Sequence, residues 1–343
     1  MRKKAPTIYD IARRAEVSVS TVSRVLNGQE SVHPDLRSRV EHAMHELRFR
    51  PNRVAQTLYH RRSNTIGCVL PDITNPYFAQ LFLQLEVHAF EHGYSVVLGN
   101  TTSNPELERT YLHSLVERQV DGLLFLGGLT NHPHPDQESL QIVQEVAERV
   151  PLVAVNGDLP EVDLLASVSS DEAGGMRQVL RHLRERGHTR IAFLGGQEDV
   201  TSSLAKLRVY REFCPGAPDA WVHFTGLTIQ AGVDALEHLL QAPERPTALV
   251  CINDLVAAGV LQAARAAGIA VPGTFSVVGF DDVFPAQIVS PPLTSVNHNY
   301  SQLAGQALRV LLAGIAGQQT ERVLQVPTFL VERQSVGPPA VTG

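Results

Sequence analysis

The chain has 343 residues, 43% of them hydrophobic and 19% charged. This composition suits a globular protein of two or three domains, and it excludes a membrane-spanning helix, because no uncharged apolar stretch approaches the roughly 18 residues a span needs. The net charge of −6 is unevenly spread: residues 1–62 carry +7 and the remainder −13, so a basic head that suits a polyanion precedes an acidic body.

Cys68, Cys214 and Cys251 lie far apart without a C-x-x-C pair. They read as buried small apolar residues rather than a disulfide or zinc framework. The opening "MRKKAPTIYDIARRAEVS" has no apolar run or small-residue cleavage site after its basic start, so the cytoplasm is expected.

The first element is "TIYDIARRA". Thr7 is its N-cap, Asp10 follows three residues on, and Ile8, Ile11, Ala12 and Ala15 recur at helical spacing. After a break at "EVS", a second short helix runs from its cap Ser18 towards Asn27-Gly28. Two short helices joined so tightly describe a helix-turn-helix.

On the second helix Val22, Val25 and Leu26 share one side, with Ser20, Arg24 and Asn27 nearly opposite and Val19 and Ser23 flanking. A helix of about 9 residues is about 14 Å long and suits a major groove about 12 Å wide. There Arg24 can take guanine O6 and N7, Asn27 base or phosphate, and Val19 a thymine methyl. A solvated polar surface is the plain alternative for that face. The third helix, "HPDLRSRVEHAMHEL", places Leu36, Val40, Ala43, Met44 and Leu47 in a stripe that closes a three-helix core.

"RPNRVAQTLYHRR", residues 50–62, is too polar for a core and too short for a stable isolated helix. From residue 63 onward apolar runs such as "TIGCVL", "DGLLFLGG", "RIAFLGG" and "FSVVGFDD" alternate with amphipathic stretches. That pattern indicates parallel sheets covered on both faces by helices, and it restarts near "PEVDLLASVSSDEAG" as if at a second lobe. Ligands in such sheets sit beyond the carboxyl ends of strands, which draws attention to Asp72, Asn75, Tyr77 and Phe78 after the first strand, Asn253-Asp254 and Asp281 after later ones. The plain alternatives are that "NPYF" starts a helix with its aromatics in the core and that Asp254 caps a helix.

"TIYDIARRAEVSVSTVSRVLN", "FRPNRVAQTL" and "NTIGCVLPDITNPYF" together resemble the lac-repressor (LacI/GalR) family of bacterial transcription regulators, in the family's order and spacing, over about residues 6–337. The resemblance implies an N-terminal all-α helix-turn-helix headpiece over 1–50 and a hinge helix over 51–62. An α/β two-lobed type I periplasmic-binding-protein-like domain follows over 63–337, for effector binding and dimerisation. Its N-lobe would hold about 63–160 plus 296–321, and its C-lobe about 161–293 plus 324–337.

DNA contacts are implied for Thr7, Tyr9, Ser18, Val19, Ser20, Thr21, Ser23, Arg24, Asn27, Asn52, Arg53, Ala55 and Leu58. By the resemblance the hinge becomes helical only on DNA, pairs with its twin, and drives Leu58 into the minor groove, an unstacking that costs a few kcal/mol and is offset by a bend. Effector contacts are implied for Asp72, Asn75, Tyr77, Phe78, Asn156, Arg208, Asp254 and Asp281.

Four departures from the family's pattern stand out. Glu16 occupies a turn position usually filled by Gly or Asn, and His33 one where Ser or Thr is common. Asn156-Gly157 replaces the Asp-Arg of many sugar-binding relatives, and "REFCPGAPDAWVHF" is short enough to imply a truncated helix.

The expected function is a homodimeric, allosteric repressor that binds a palindromic double-stranded operator under control of a small-molecule effector, a sugar or related metabolite. No cofactor, metal or membrane partner is expected. The absence of a terminal heptad run argues for a dimer without a tetramerising helix. Alternatives are a LacI-type regulator governed by a phosphocarrier protein, a solute-binding protein, which would leave residues 1–62 unexplained, and an enzyme. The enzyme reading finds no nucleotide-binding, G-x-S-x-G or H-E-x-x-H motif.

Overall fold

The computed structural model describes residues 6–26, 31–49 and 62–340, which fall into two compact units divided at Ser63 and Asn64. The first unit holds three helices, α1 (Ile8–Ala15), α2 (Val19–Leu26) and α3 (Pro34–Glu46). Their apolar stripes meet in one core of Ile11, Ala12, Ala15, Val22, Val25, Val32, Val40 and Ala43, flanked by Leu36, Met44 and Leu47.

Local chemistry sets the ends of these helices. The Asp10 carboxylate accepts from both the amide and the hydroxyl of Thr7 at the start of α1. Glu16 ends α1 in the left-handed region, at φ 53° and ψ 47°, a conformation in which a side chain crowds its own backbone. Arg39 of α3 braces it, donating to the Glu16 carbonyl at 3.2 Å and to its carboxylate at 3.4 Å. The departure at His33 has a similar resolution: its ring nitrogen accepts from the Asp35 amide at the start of α3.

The second unit contains two six-stranded sheets. Along the first they run in the order β11 (Val323–Val326), β5 (Ala166–Ser170), β4 (Leu152–Val155), β3 (Gly122–Leu126), β1 (Thr65–Leu70) and β2 (Ser95–Asn100), all parallel. Helices α4 (Pro76–Glu91), α5 (Pro105–Glu117), α6 (Gln137–Ala147) and α12 (Tyr300–Ile315) cover it.

The second sheet has the order β12 (Phe329–Val331), β10 (Thr294–Asn297), β9 (Ser276–Asp281), β8 (Ala248–Cys251), β6 (Ile191–Leu194) and β7 (Val222–His223), with only β12 antiparallel. Around it lie α7 (Glu172–Glu185), α8 (Thr201–Phe213), α9 (Ile229–Leu239), α10 (Asp254–Ala266) and α11 (Phe284–Ile288). Helices α9 and α10 approach so closely that a Cβ on Gly232 or Gly259 would overlap the other helix's backbone.

The pairing moves the expected lobe boundaries. Residues 161–170 were expected to open the C-lobe, yet β5 pairs with β4 in the first sheet, Val153 opposite Ala166. Likewise β11 pairs with β5, placing 323–326 in the N-lobe, while 294–297 form β10 of the C-lobe sheet. The chain therefore crosses between lobes near 171, 298 and 327. "PEVDLL" is a loop between neighbouring strands, and the short Ala/Ser-rich β5 was hard to assign by hydrophobic period alone.

The expected truncated helix is also absent. Helix α8 has 13 residues, as many as α5 or α10, and the short passage after it is absorbed by one 3-10 turn at Asp219–Trp221 and a two-residue β7. All three cysteines are buried, and burial pushes the Cys68 thiol up to about 12. Among the described residues no helix is long and apolar enough to cross a membrane.

Candidate functional site

Two surfaces answer the expectations. On the headpiece, Val22 and Val25 of α2 are buried in the three-helix core, which fixes the opposite side outward. Ser20 and Arg24 are exposed there, with Val19, Thr21 and Ser23 half-buried at its flanks. Ser18 caps the helix: its hydroxyl oxygen accepts from the Thr21 amide at 3.1 Å and lies 2.7 Å from the Ser20 hydroxyl and 2.8 Å from that of Thr21. Thr7 holds the start of α1, and Tyr9 beside it is 67% exposed. Asn27, Asn52, Arg53, Ala55 and Leu58 lie outside the described residues.

In the body a small cleft of about 90 Å³ opens between the lobes at the carboxyl ends of the strands. Asn75, Tyr77 and Phe78 at the start of α4, and Asn156 after β4, line it from the first lobe; Asp281, at the end of β9, lines it from the second. Each is positioned by local structure. Asn75 caps α4 by accepting from the Tyr77 amide, and Asn156, in the left-handed region at φ 52°, donates to the Tyr77 hydroxyl and accepts from the Ser170 amide. Tyr77 packs edge-on to both Phe78 and His298, each with ring centroids 5.0 Å apart.

Three expected effector residues fall elsewhere. Arg208 is exposed, because α8 turns it away while Lys206, two residues earlier, is 5% exposed and lines the cleft. The cation is therefore a lysine, shifted by half a helical turn from its expected place. Asp254 is fully buried and ties the second lobe together, accepting from the Val283 amide at 2.9 Å and the Ser295 hydroxyl at 2.5 Å. Its neighbour Asn253 faces the cleft and caps α10 through Val256. Asp72 accepts from the amide and hydroxyl of Thr74 in a local turn and does not line the cleft.

The cleft also gathers residues the sequence reading missed, chiefly Glu172, Lys206 and His298. Lys206 Nζ sits 3.3 Å from Glu172 Oε2 and 3.9 Å from the Phe280 ring centroid. Glu172 Oε2 is nevertheless buried without a hydrogen-bond partner among the described residues. His298 bridges the lobes, its Nδ1 2.7 Å from Ser170 Oγ and its Nε2 3.0 Å from Asp281 Oδ1.

Burial, aided by Lys206, depresses His298 to about 4, against the pull of Glu172, so its ring is neutral. Burial and the nearby Glu172 raise Asp281 although Lys206 opposes them, and burial followed by Asp281 raises Asp254. The site is thus a polar, nearly neutral chamber with an aromatic wall and a buried Lys206–Glu172 ion pair. Among the described residues no group of three or more His, Cys, Asp or Glu side chains could hold a metal ion.

Comparison with known proteins agrees with both halves. Residues 7–52 match the family model for bacterial regulatory proteins of the lacI family, and residues 180–336 that for a periplasmic binding protein-like domain. The HTH-type transcriptional regulator DegA of Bacillus subtilis (strain 168) is 31% identical over 338 residues, 97% of this chain and 98% of its own.

The lac repressor dimer bound to operator and the anti-inducer ONPF has a TM-score of 0.86 at 28% identity, covering 97% of this chain and 99% of that one. The transcriptional regulator CelR in complex with cellobiose has a TM-score of 0.69 at 32% identity, covering 96% and 100%. The headpiece, the two-sheet body and the near full-length similarity lead to one assignment: the chain belongs to the LacI family of bacterial DNA-binding transcription regulators.

Proposed function

We propose that this regulator is a homodimeric repressor whose hold on a palindromic operator is changed by an uncharged, hydroxyl-rich small molecule, a sugar or a close relative, bound in the interlobe cleft. The observation that carries the effector class is Glu172 Oε2, a buried acceptor ion-paired to Lys206 at 3.3 Å but without a hydrogen bond among the described residues. A ligand hydroxyl that donates to it adds a hydrogen bond to a charged acceptor, worth about 1.5–3 kcal/mol. A phosphate or carboxylate would bring further negative charge against Glu172, with Lys206 already engaged by that carboxylate. The flat rings of Tyr77 and Phe78 suit the apolar face of a sugar. The cellobiose bound by CelR is of the same chemical kind.

The dimer reading draws on α4. One side of this helix buries Leu81, Leu85 and Ala89 against its own lobe, while Leu83, Val87 and Phe90, spaced by four and three residues, are 49%, 45% and 80% exposed. A second copy would cover that stripe, and a twofold axis would give the operator its palindromic form. On DNA, Arg24 and Ser20 read base edges and Leu58 enters the minor groove at the centre. The coupling is reciprocal, since effector and operator favour different lobe arrangements. A phosphocarrier partner is not needed.

The test is a thermal-shift screen of the full chain against neutral mono- and disaccharides and their phosphorylated and acidic counterparts. Stabilisation by neutral sugars, lost in Glu172→Ala, is expected. Hits confined to phosphorylated or acidic compounds would overturn the effector class.

A further inference from the structure

We propose that Asn131 caps helix α8 from the opposite lobe and so latches the cleft, setting how far the two lobes are closed before any effector arrives. Helix α8 begins at Thr201, and its N-cap residue Val200 has no side-chain oxygen with which to satisfy the first-turn amides. Asn131, in a turn of the first lobe, supplies it. Its Oδ1 accepts from the Ser202 amide at 3.1 Å, the bond an N-cap side chain normally makes within its own helix, while its Nδ2 donates to Ser202 Oγ at 3.2 Å. The two residues are 71 positions apart and neither belongs to the three chain crossings, where Ser170, His298 and Asp281 make separate polar links.

The turn that presents Asn131 is braced from its own lobe. Gly127 and Gly128 open it at φ 61° and 57°, and a Cβ on Gly128 would overlap the Glu108 carboxylate packed beneath. That carboxylate accepts from the Leu129 amide at 3.4 Å, the Thr130 hydroxyl donates to the Gly127 carbonyl, and the Asp158 amide donates to the Thr130 carbonyl. A rigid arm from one lobe thus completes a helix of the other. The cap is satisfied only when the lobes are closed, and opening them returns an orphan amide to α8. The apparent affinity of any cleft ligand scales with the closed fraction, so Asn131 acts on it as a positioning residue.

The experiment is hydrogen exchange on the full-length protein without effector, reading the amides of residues 201–204 in wild type, Asn131→Ala and Asn131→Asp. Loss of a cap is expected to speed exchange at Ser202 about fivefold in Asn131→Ala. Asn131→Asp keeps the acceptor oxygen and is expected to stay near wild type. Unchanged β8 and β9 amides show that both variants are folded. Small-angle scattering of the same samples reads the lobes themselves, with a wider distribution expected for Asn131→Ala alone. Equal exchange in Asn131→Ala and wild type, fast exchange in Asn131→Asp, or altered exchange with unaltered scattering would each overturn the latch. No effector is used, so the outcome is independent of the proposed ligand class.

Discussion

Replacing Glu108 with glutamine is expected to stabilise the body at pH 8 and to do little at pH 5. Glu108 is 8% exposed on α5, and burial raises its pKa from 4.5 to about 7. The Leu129 amide and Arg109 pull the other way, and Asp136 adds a smaller upward push. Arg109 is itself occupied 3.5 Å from Glu138, which limits its help.

Below pH 4.5 folded and unfolded chains both hold the proton, and the group is neutral in the balance. Between 4.5 and about 7 the unfolded chain releases its proton first, and each pH unit costs the fold about 1.4 kcal/mol. Above 7 the deficit is constant, on the order of 3 kcal/mol. Glutamine keeps an oxygen to accept from Leu129 and has no proton to lose. Urea melts of both proteins at pH 5 and pH 8, at one fixed protein concentration, should show the variant gaining about 1–3 kcal/mol only at the higher pH. A gain that is the same at both pH values, or no gain, would refute the buried-carboxylate reasoning.

Three further outcomes are expected. Arg24→Ala should cost about 1–3 kcal/mol of operator binding and relax selectivity at one base position; unchanged selectivity would show that Arg24 touches only phosphate. Lys206→Met should destabilise the second lobe by about 3–5 kcal/mol, because it strands Glu172 as a buried charge beside Asp281, and calorimetry showing no loss would mean the pair is solvated. Glu16→Gly should stabilise the headpiece by about 1 kcal/mol, since relief of left-handed strain outweighs an exposed ion pair to Arg39 and the carbonyl bond remains. A lower melting temperature would show that the ion pair matters more than the backbone.

Legibility in the sequence followed the strength of each periodic signal. The headpiece was readable because each short helix shows one apolar face and a cap, and the strained turn at Glu16 was visible as a residue type misplaced for its conformation. The buried strands were readable as apolar runs. What failed was pairing: β5 and β11 are short and weakly apolar, and their place in the first sheet is decided by neighbours far away in sequence. Within the cleft, residues directly after strands were found, whereas Lys206 was missed because Arg208 was matched two positions out of register. Half a turn of helix separates facing the ligand from facing water. Glu172 and His298 gave only a faint signal, since each sits at a crossing whose position depends on the lobe boundary.

The central claim is that the headpiece reads a specific DNA sequence and that the body controls the reading. The most direct measurement is selection of fragments from the source genome by the purified full-length protein at about 150 mM salt, with and without metabolite extract. The account predicts recovery of a palindrome with a flexible central step, in amounts that the extract changes. Recovery of no preferred sequence under either condition would contradict it.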